Sequence, residues 1–224
     1  MKEFFTKAYK NADESVRESL LKTLFMTDDS EYSAKVRLDY YKTKLKRLGE
    51  NVKIGKNVKI VNPQFVSIGD GVTIDDDVTI IARGECGITI DDGVIICERV
   101  YLDTQTAEWG YINIGKGTYI GTGTTLFGHV GLDIGINVLM AQGINLTPYS
   151  HKFDDPTKPI KVQGGNMEKV TIGDDVYIGM GSKIMYSGSI GDGAIIGCGS
   201  VVNRPIPPYS VAVGVPAKVI KNRK

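Results

Sequence analysis

An apolar residue recurs at a fixed step along most of the chain, at Ile54, Ile60, Ile68, Ile74, Ile80, Ile90, Ile96, Leu102, Ile114, Ile120, Leu126, Ile134, Met140, Leu146, Ile172, Ile178, Ile184, Ile190, Ile196 and Val202. Most steps are six residues. Neither a helix nor simple strand alternation has that period, whereas a short strand plus a corner does, with one aliphatic pointing inward per face. Glycine often follows the aliphatic, which suits a corner that needs open backbone angles. Longer steps of 8, 10, 12, 8 and 26 residues fall after Ile60, Ile80, Leu102, Leu126 and Leu146. Between these points the hexads come in threes, so each coil has three faces and takes about 18 residues. The insertions therefore all leave from one vertex of a triangular prism. The pattern predicts an all-β solenoid of about seven coils over residues 51–203, the first incomplete, with parallel strands about 4.8 Å apart from coil to coil.

The ends break the pattern. Residues 1–50 carry helical spacing, with Val16, Leu20 and Leu24 in one segment and Val36, Tyr40, Tyr41, Leu45 and Leu48 in another. Asp29 or Ser30 serves as a helix cap and Gly49 as a stop. This reads as a helical cap on the first coil. After Val202, the run Arg204-Pro205-Ile206-Pro207-Pro208 removes ladder donors and ends the solenoid. The tail, residues 204–224, is expected to fold back along it.

Composition agrees with a solenoid. The 224 residues hold 27 glycines, 6 phenylalanines and one tryptophan, so columns of Ile, Leu and Val must fill the interior in place of aromatics. A net charge of +1 gives no electrostatic reason to expect nucleic acid. Charges interrupt the first apolar stretch, and no apolar run is long enough to span a membrane, so a soluble cytoplasmic protein without membrane insertion is expected. Cys86, Cys97 and Cys198 form no CxxC pair, and all three read as small buried residues.

The segments Val-Thr-Ile-Gly-Asp-Asp-Val-Tyr-Ile-Gly (170–179), Ile-Gly-Cys-Gly-Ser-Val-Val (196–202) and Gly-Val-Pro-Ala-Lys-Val-Ile-Lys (214–221) resemble, in order, the hexapeptide-repeat acyltransferases. The likeness is to the galactoside, maltose and xenobiotic acetyltransferase branch and its polysaccharide O-acetyltransferase relatives. It spans about residues 50–221 and implies a left-handed parallel β-helix, a homotrimer, and acetyl-CoA lying between adjacent prisms as co-substrate. No metal is implied.

The chain has two histidines, His129 and His151, both in excursions from the insertion vertex on successive coils. Residues 147–169 form the longest excursion, and a long loop in a tight solenoid is where function is usually found. Transfer of an acyl group to a hydroxyl needs a base active near neutral pH, which suits histidine. The family's catalytic histidine opens this same loop, so the resemblance implies His151 as general base in direct transfer. Asp154 or Asp155 is a candidate to orient its ring, and each also reads as a solvated turn cap. His129 either meets the acceptor or caps a corner. The resemblance places the cofactor along Gly179, Met180, Cys198, Asn203 and Arg204, with Lys218 and Lys221 near its phosphates.

Three positions depart from the family. Tyr177 replaces a common Trp and keeps an aromatic wall against the substrate, and Cys198 replaces Ala. Gly123 stands where the galactoside and maltose enzymes carry an acceptor-binding Asn, which counts against those acceptors. Trp109, on the 103–113 insertion, is placed either to stack on a sugar ring or to pack on the adjacent coil. The leading expectation is O-acetylation of a sugar or polysaccharide-precursor hydroxyl. N-acetylation of a nucleotide-linked amino sugar and a non-catalytic binding role remain as alternatives. A carbonic anhydrase on this prism would need three zinc histidines, and a serine acetyltransferase a far longer helical domain.

Overall fold

A computed structural model describes residues 11–13, 15–20 and 28–223; Leu24 and the first ten residues lie outside them. From Arg47 onward the chain winds through three parallel sheets. The first face runs through Arg47–Leu48, Val66–Ile68, Ile88–Ile90, Ile112–Ile114, Leu132–Ile134 and Val170–Ile172. The third, from Lys59–Val61 to Val201–Val202, has seven strands, one per coil. The hexad register is thus a parallel β-solenoid of about seven turns, the left-handed β-helix that the resemblance implies.

Every hexad aliphatic from Ile54 to Val202 points inward, nearly all of them fully buried. On the second face, Ile74, Ile96, Ile120, Met140, Ile178 and Ile196 lie in register, each on the next. Each such side chain contributes about 1.5–3 kcal/mol by leaving water, so the column is a continuous core that no aromatic residue interrupts.

The glycines act differently from expectation. Those directly after the aliphatic do not adopt left-handed angles; they let successive coils approach. A Cβ on Gly121 would stand 2.6 Å from the Ala141 carbonyl carbon one coil on. The left-handed residue comes two positions later, as at Gly123, with φ +70°.

The solenoid also extends beyond its predicted ends. Arg47–Leu48 pairs with Ser67 and Ile68, so the first coil has its first-face strand. At the far end Ile206 bridges Ile190, and Ser210–Val213 pairs in parallel with Ile195–Ile196. The prolines interrupt the stack for a few residues without ending it. Lys218–Asn222 then folds back antiparallel on Ser210–Val213.

Helix α1 (Glu31–Lys42) covers the open end of the first coil. Ser30 caps it, its side chain accepting from the Ser33 N–H. The helix ends at Lys42, seven residues before the predicted stop; Gly49 instead sits where a Cβ would strike Gly69 and Asp70. From α1, buried Arg37 donates through Nε to the Ile54 carbonyl at 3.0 Å, and the Tyr41 hydroxyl donates to the Val58 carbonyl at 2.9 Å. Carbonyls that a preceding coil would otherwise satisfy are thereby paired.

Candidate active site

Residues 147–169 form a pinned hairpin. Tyr149–His151 pairs antiparallel with Gly165–Met167, bringing Tyr149 opposite Met167 and His151 opposite Gly165. Its tip is closed by Gln163, whose amide accepts from the Asp155 N–H at 3.0 Å and donates to the Asp155 and Lys158 carbonyls, each at 2.8 Å. Asp155 accepts from Thr157 and pairs with Lys158, so it is a turn cap. Where the hairpin rejoins the prism, Lys169 is 2.5 Å from Asp133. The bond to Asp133 and the nearby Tyr111 hydroxyl hold the lysine pKa well above its usual range.

Within a strand, residues two apart share a face, so Tyr149 and His151 project together. The Tyr149 hydroxyl lies 3.1 Å from His151 Nδ1, and the two rings meet edge to face at 4.8 Å. One face of Tyr149 stacks on His129, at 5.1 Å between centroids and 12° between planes. Phe127 meets His129 edge-on at 5.9 Å, and Tyr101 meets Phe127 at 6.1 Å. The two histidines are therefore joined through one tyrosine, in a ladder of rings running down the insertion vertex. The group at His151 Nδ1 is this hydroxyl, and of the two readings for Asp154 and Asp155 the turn cap is the one Asp155 takes.

At the foot of the ladder, fully buried Asp103 is held by Arg83 through two bonds of 2.7 Å and accepts from Tyr101 and from the Gln105 N–H. Burial pulls the Asp103 carboxyl upward, but these bonds outweigh it and hold it below the usual carboxylate range. Burial lowers the His129 pKa against a weaker pull from Asp103. Its Nδ1 is buried and, among the described residues, has no hydrogen-bond partner. A histidine whose folded pKa lies below its unfolded value, about 6.5, adds stability that is complete above that value and is lost as pH falls through the folded pKa. Between pH 7 and pH 5 the melting temperature should therefore drop further in the wild type than in His129→Phe. Equal drops would refute the assignment.

The other predicted residues fall elsewhere. Gly179, Met180 and Cys198 share the corner between the second and third faces; a Cβ on Gly179 would stand 2.6 Å from the Cys198 nitrogen. Exposed Asn203 and Arg204 follow the last third-face strand at the insertion vertex. Lys218 lies beside Val213, and Lys221 beside Val211. These residues thus border the late coils, with small residues on one corner and cations around them. Cys97 is buried as expected, but Cys86 and Cys198 are exposed. Trp109 is 58% exposed, so its ring stands in solvent instead of packing on the next coil. Asp154 is exposed on the hairpin. Tyr177 lies away from the insertion vertex, on the outer second face between Leu139 and Ile195.

Sequence reasoning missed Tyr149, Asp103 and Arg83. For Tyr149 a signal existed, since Tyr-Ser-His alternates as a strand does.

A family model described as bacterial transferase hexapeptide (six repeats) matches residues 169–204. The dTDP-4-amino-4,6-dideoxy-D-glucose acyltransferase of Escherichia coli is 31% identical over 179 residues, 80% of this chain and 82% of that protein. A probable acetyltransferase of Mycobacterium tuberculosis is 35% identical over 167 residues, 74% of this chain and 54% of that one. The chain spans about half the length of several curated relatives it matches. Among solved structures, the N-acyltransferase AntD from Bacillus cereus, in complex with dTDP and 3-hydroxybutyryl-CoA, superposes with a TM-score of 0.57 at 26% identity, covering 84% of this chain and 88% of that one. Among the described residues, no helix is long and apolar enough to cross a membrane.

Proposed function

Since the chain belongs to the hexapeptide-repeat acyltransferases, aligned over most of a sugar acyltransferase's length, we propose that it transfers an acetyl group from acetyl-CoA to a sugar hydroxyl, with His151 as general base. The observation that carries this reading is an exposed imidazole held by one ring nitrogen at the insertion vertex. The other nitrogen takes the hydroxyl proton as the sugar oxygen attacks the thioester carbonyl. The tetrahedral intermediate then collapses, and the CoA sulfur leaves with that proton. No covalent enzyme intermediate forms. A hydroxyl needs such a base more than an amine does.

Gly179 and Cys198 would leave room for the pantetheine arm beside Met180, with Asn203, Arg204, Lys218 and Lys221 meeting the nucleotide and its phosphates through charge-assisted bonds. In this reading the chain works as a homotrimer. An apolar outer column on the second face supports it, in which Ile95, Leu139 and Tyr177 are 40%, 46% and 36% exposed. Packing a second prism there would bring Tyr177 to a shared cleft.

A second reading, transfer to a nucleotide-linked amino sugar, is favoured by the relatives matched over most of their length, which are named for a 4-amino sugar and for N-acyl transfer. Acetyl-labelled acetyl-CoA offered with a panel of sugars, nucleotide sugars and amino sugars separates the two. Mild alkali should release the label, as it does from an ester. Alkali-stable label would mean an amide and overturn the hydroxyl reading.

A further inference from the structure

Tyr149 occupies an unusual position for a loop residue. One side of its ring lies flat on His129, its edge meets His151, and its hydroxyl reaches the His151 Nδ1. The opposite strand makes room for it: a Cβ built on Gly165, the residue paired with His151, would collide with the Tyr149 ring and hydroxyl. Gly165 does not have the left-handed angles that favour glycine, so the close approach of the tyrosine accounts for the missing side chain. Stacking from one side, clearance from the other and the strand register together leave the hydroxyl little freedom except against His151.

A histidine's tautomer is set by the bond that its second nitrogen makes. We infer that Tyr149 is the positioning residue for His151: its hydroxyl oxygen accepts from Nδ1–H and so leaves Nε2 unprotonated to receive a proton. In most such arrangements a carboxylate or carbonyl holds the imidazole. Here a neutral hydroxyl does so, fixed by the ring ladder from His129. The same bond persists when Nε2 becomes protonated, and it is then charge-assisted. The inference rests on the reading of His151 as base for its kinetic consequence, but the contact itself is testable without turnover.

With only two histidines in the chain, ¹⁵N NMR of the imidazoles is readily assigned using His129→Phe. In the wild type His151 should be in the Nδ1–H form. Tyr149→Phe keeps the ring stack but should shift His151 toward the Nε2–H form that free imidazole prefers. Gly165→Ala, which displaces the ring, should produce the same shift, and the double variant no more than either alone. Release of CoA thiol from acetyl-CoA, with water and with the sugar panel, should fall about 10- to 100-fold in kcat in both variants, with KM for acetyl-CoA unchanged. An unchanged tautomer in Tyr149→Phe would overturn the inference whatever the rate. A shifted tautomer with unchanged thiol release would support the contact and overturn His151 as base.

Discussion

Replacing His151 with Asn or Ala should lower acetyl transfer by about 10²- to 10⁴-fold, the range expected when a general base is lost, while acetyl-CoA binding stays close to wild type. The separation follows from where the groups lie. His151 is exposed on the hairpin and makes its ring contacts with Tyr149, so removing the imidazole leaves the prism columns untouched. The residues proposed for CoA belong to the late coils and the returning strand, beyond the hairpin in sequence. Stability should accordingly change little, because an exposed side chain outside the core seldom shifts it by more than about 0.5 kcal/mol. The measurement is kcat from CoA thiol release beside the Kd for CoA by calorimetry. Turnover within threefold of wild type would remove His151 from the mechanism. Lost turnover with equally lost CoA binding would make it a binding residue instead.

How much of this was legible in the sequence depended on whether one period governed the position. Ile74, Ile96 and Ile120 declared themselves because each occupies the same point of a repeated unit, and the core face of that unit tolerates only aliphatics of similar size. The insertion vertex was legible for the complementary reason, since the register breaks there and nowhere else. Its interior was not. Arg83 lies three residues past its column aliphatic Ile80, and Asp103 one past Leu102; Asp103 still belongs to the third-face ladder, paired with Ile81, while Arg83 lies past its strand and reaches back to it, which no hexad spacing announces. The hexad pattern marks this excursion only as a break in register, which hides Tyr149. Once it is a hairpin, strand alternation alone puts Tyr149 beside His151. The glycines after the aliphatic do sit on corners, but contact between coils, and not backbone angle, is what places them there.

The Arg83–Asp103 pair should have the largest effect on stability of any polar contact at the vertex, and the effect should reverse its pH dependence. Asp103 has no exposed surface, whereas the Arg83 side chain is 43% exposed. Removing the arginine therefore strands a buried carboxylate, while removing the aspartate leaves a cation that can turn to water. Arg83→Met should destabilise the fold by about 3 kcal/mol at pH 7, at the lower end for breaking a buried pair because Arg83 is only partly desolvated. Asp103→Leu should cost less, and the double variant should recover part of the loss. In the intact protein the Asp103 pKa lies below its ordinary value. Its contribution to stability is complete above about pH 3.9 and is lost as pH falls through the folded value. Without Arg83, burial is opposed only by the bonds from the Gln105 N–H and the Tyr101 hydroxyl, and the folded pKa should rise above the unfolded one. The ionised carboxylate then costs stability at neutral pH, and the cost shrinks as pH falls through the raised value. Urea unfolding at pH 7 and pH 4.5 should show the gap between wild type and Arg83→Met narrowing toward acid. A gap that stays constant or widens would mean that Asp103 relaxes to solvent when its partner goes, and that the foot of the ring ladder is softer than its burial implies.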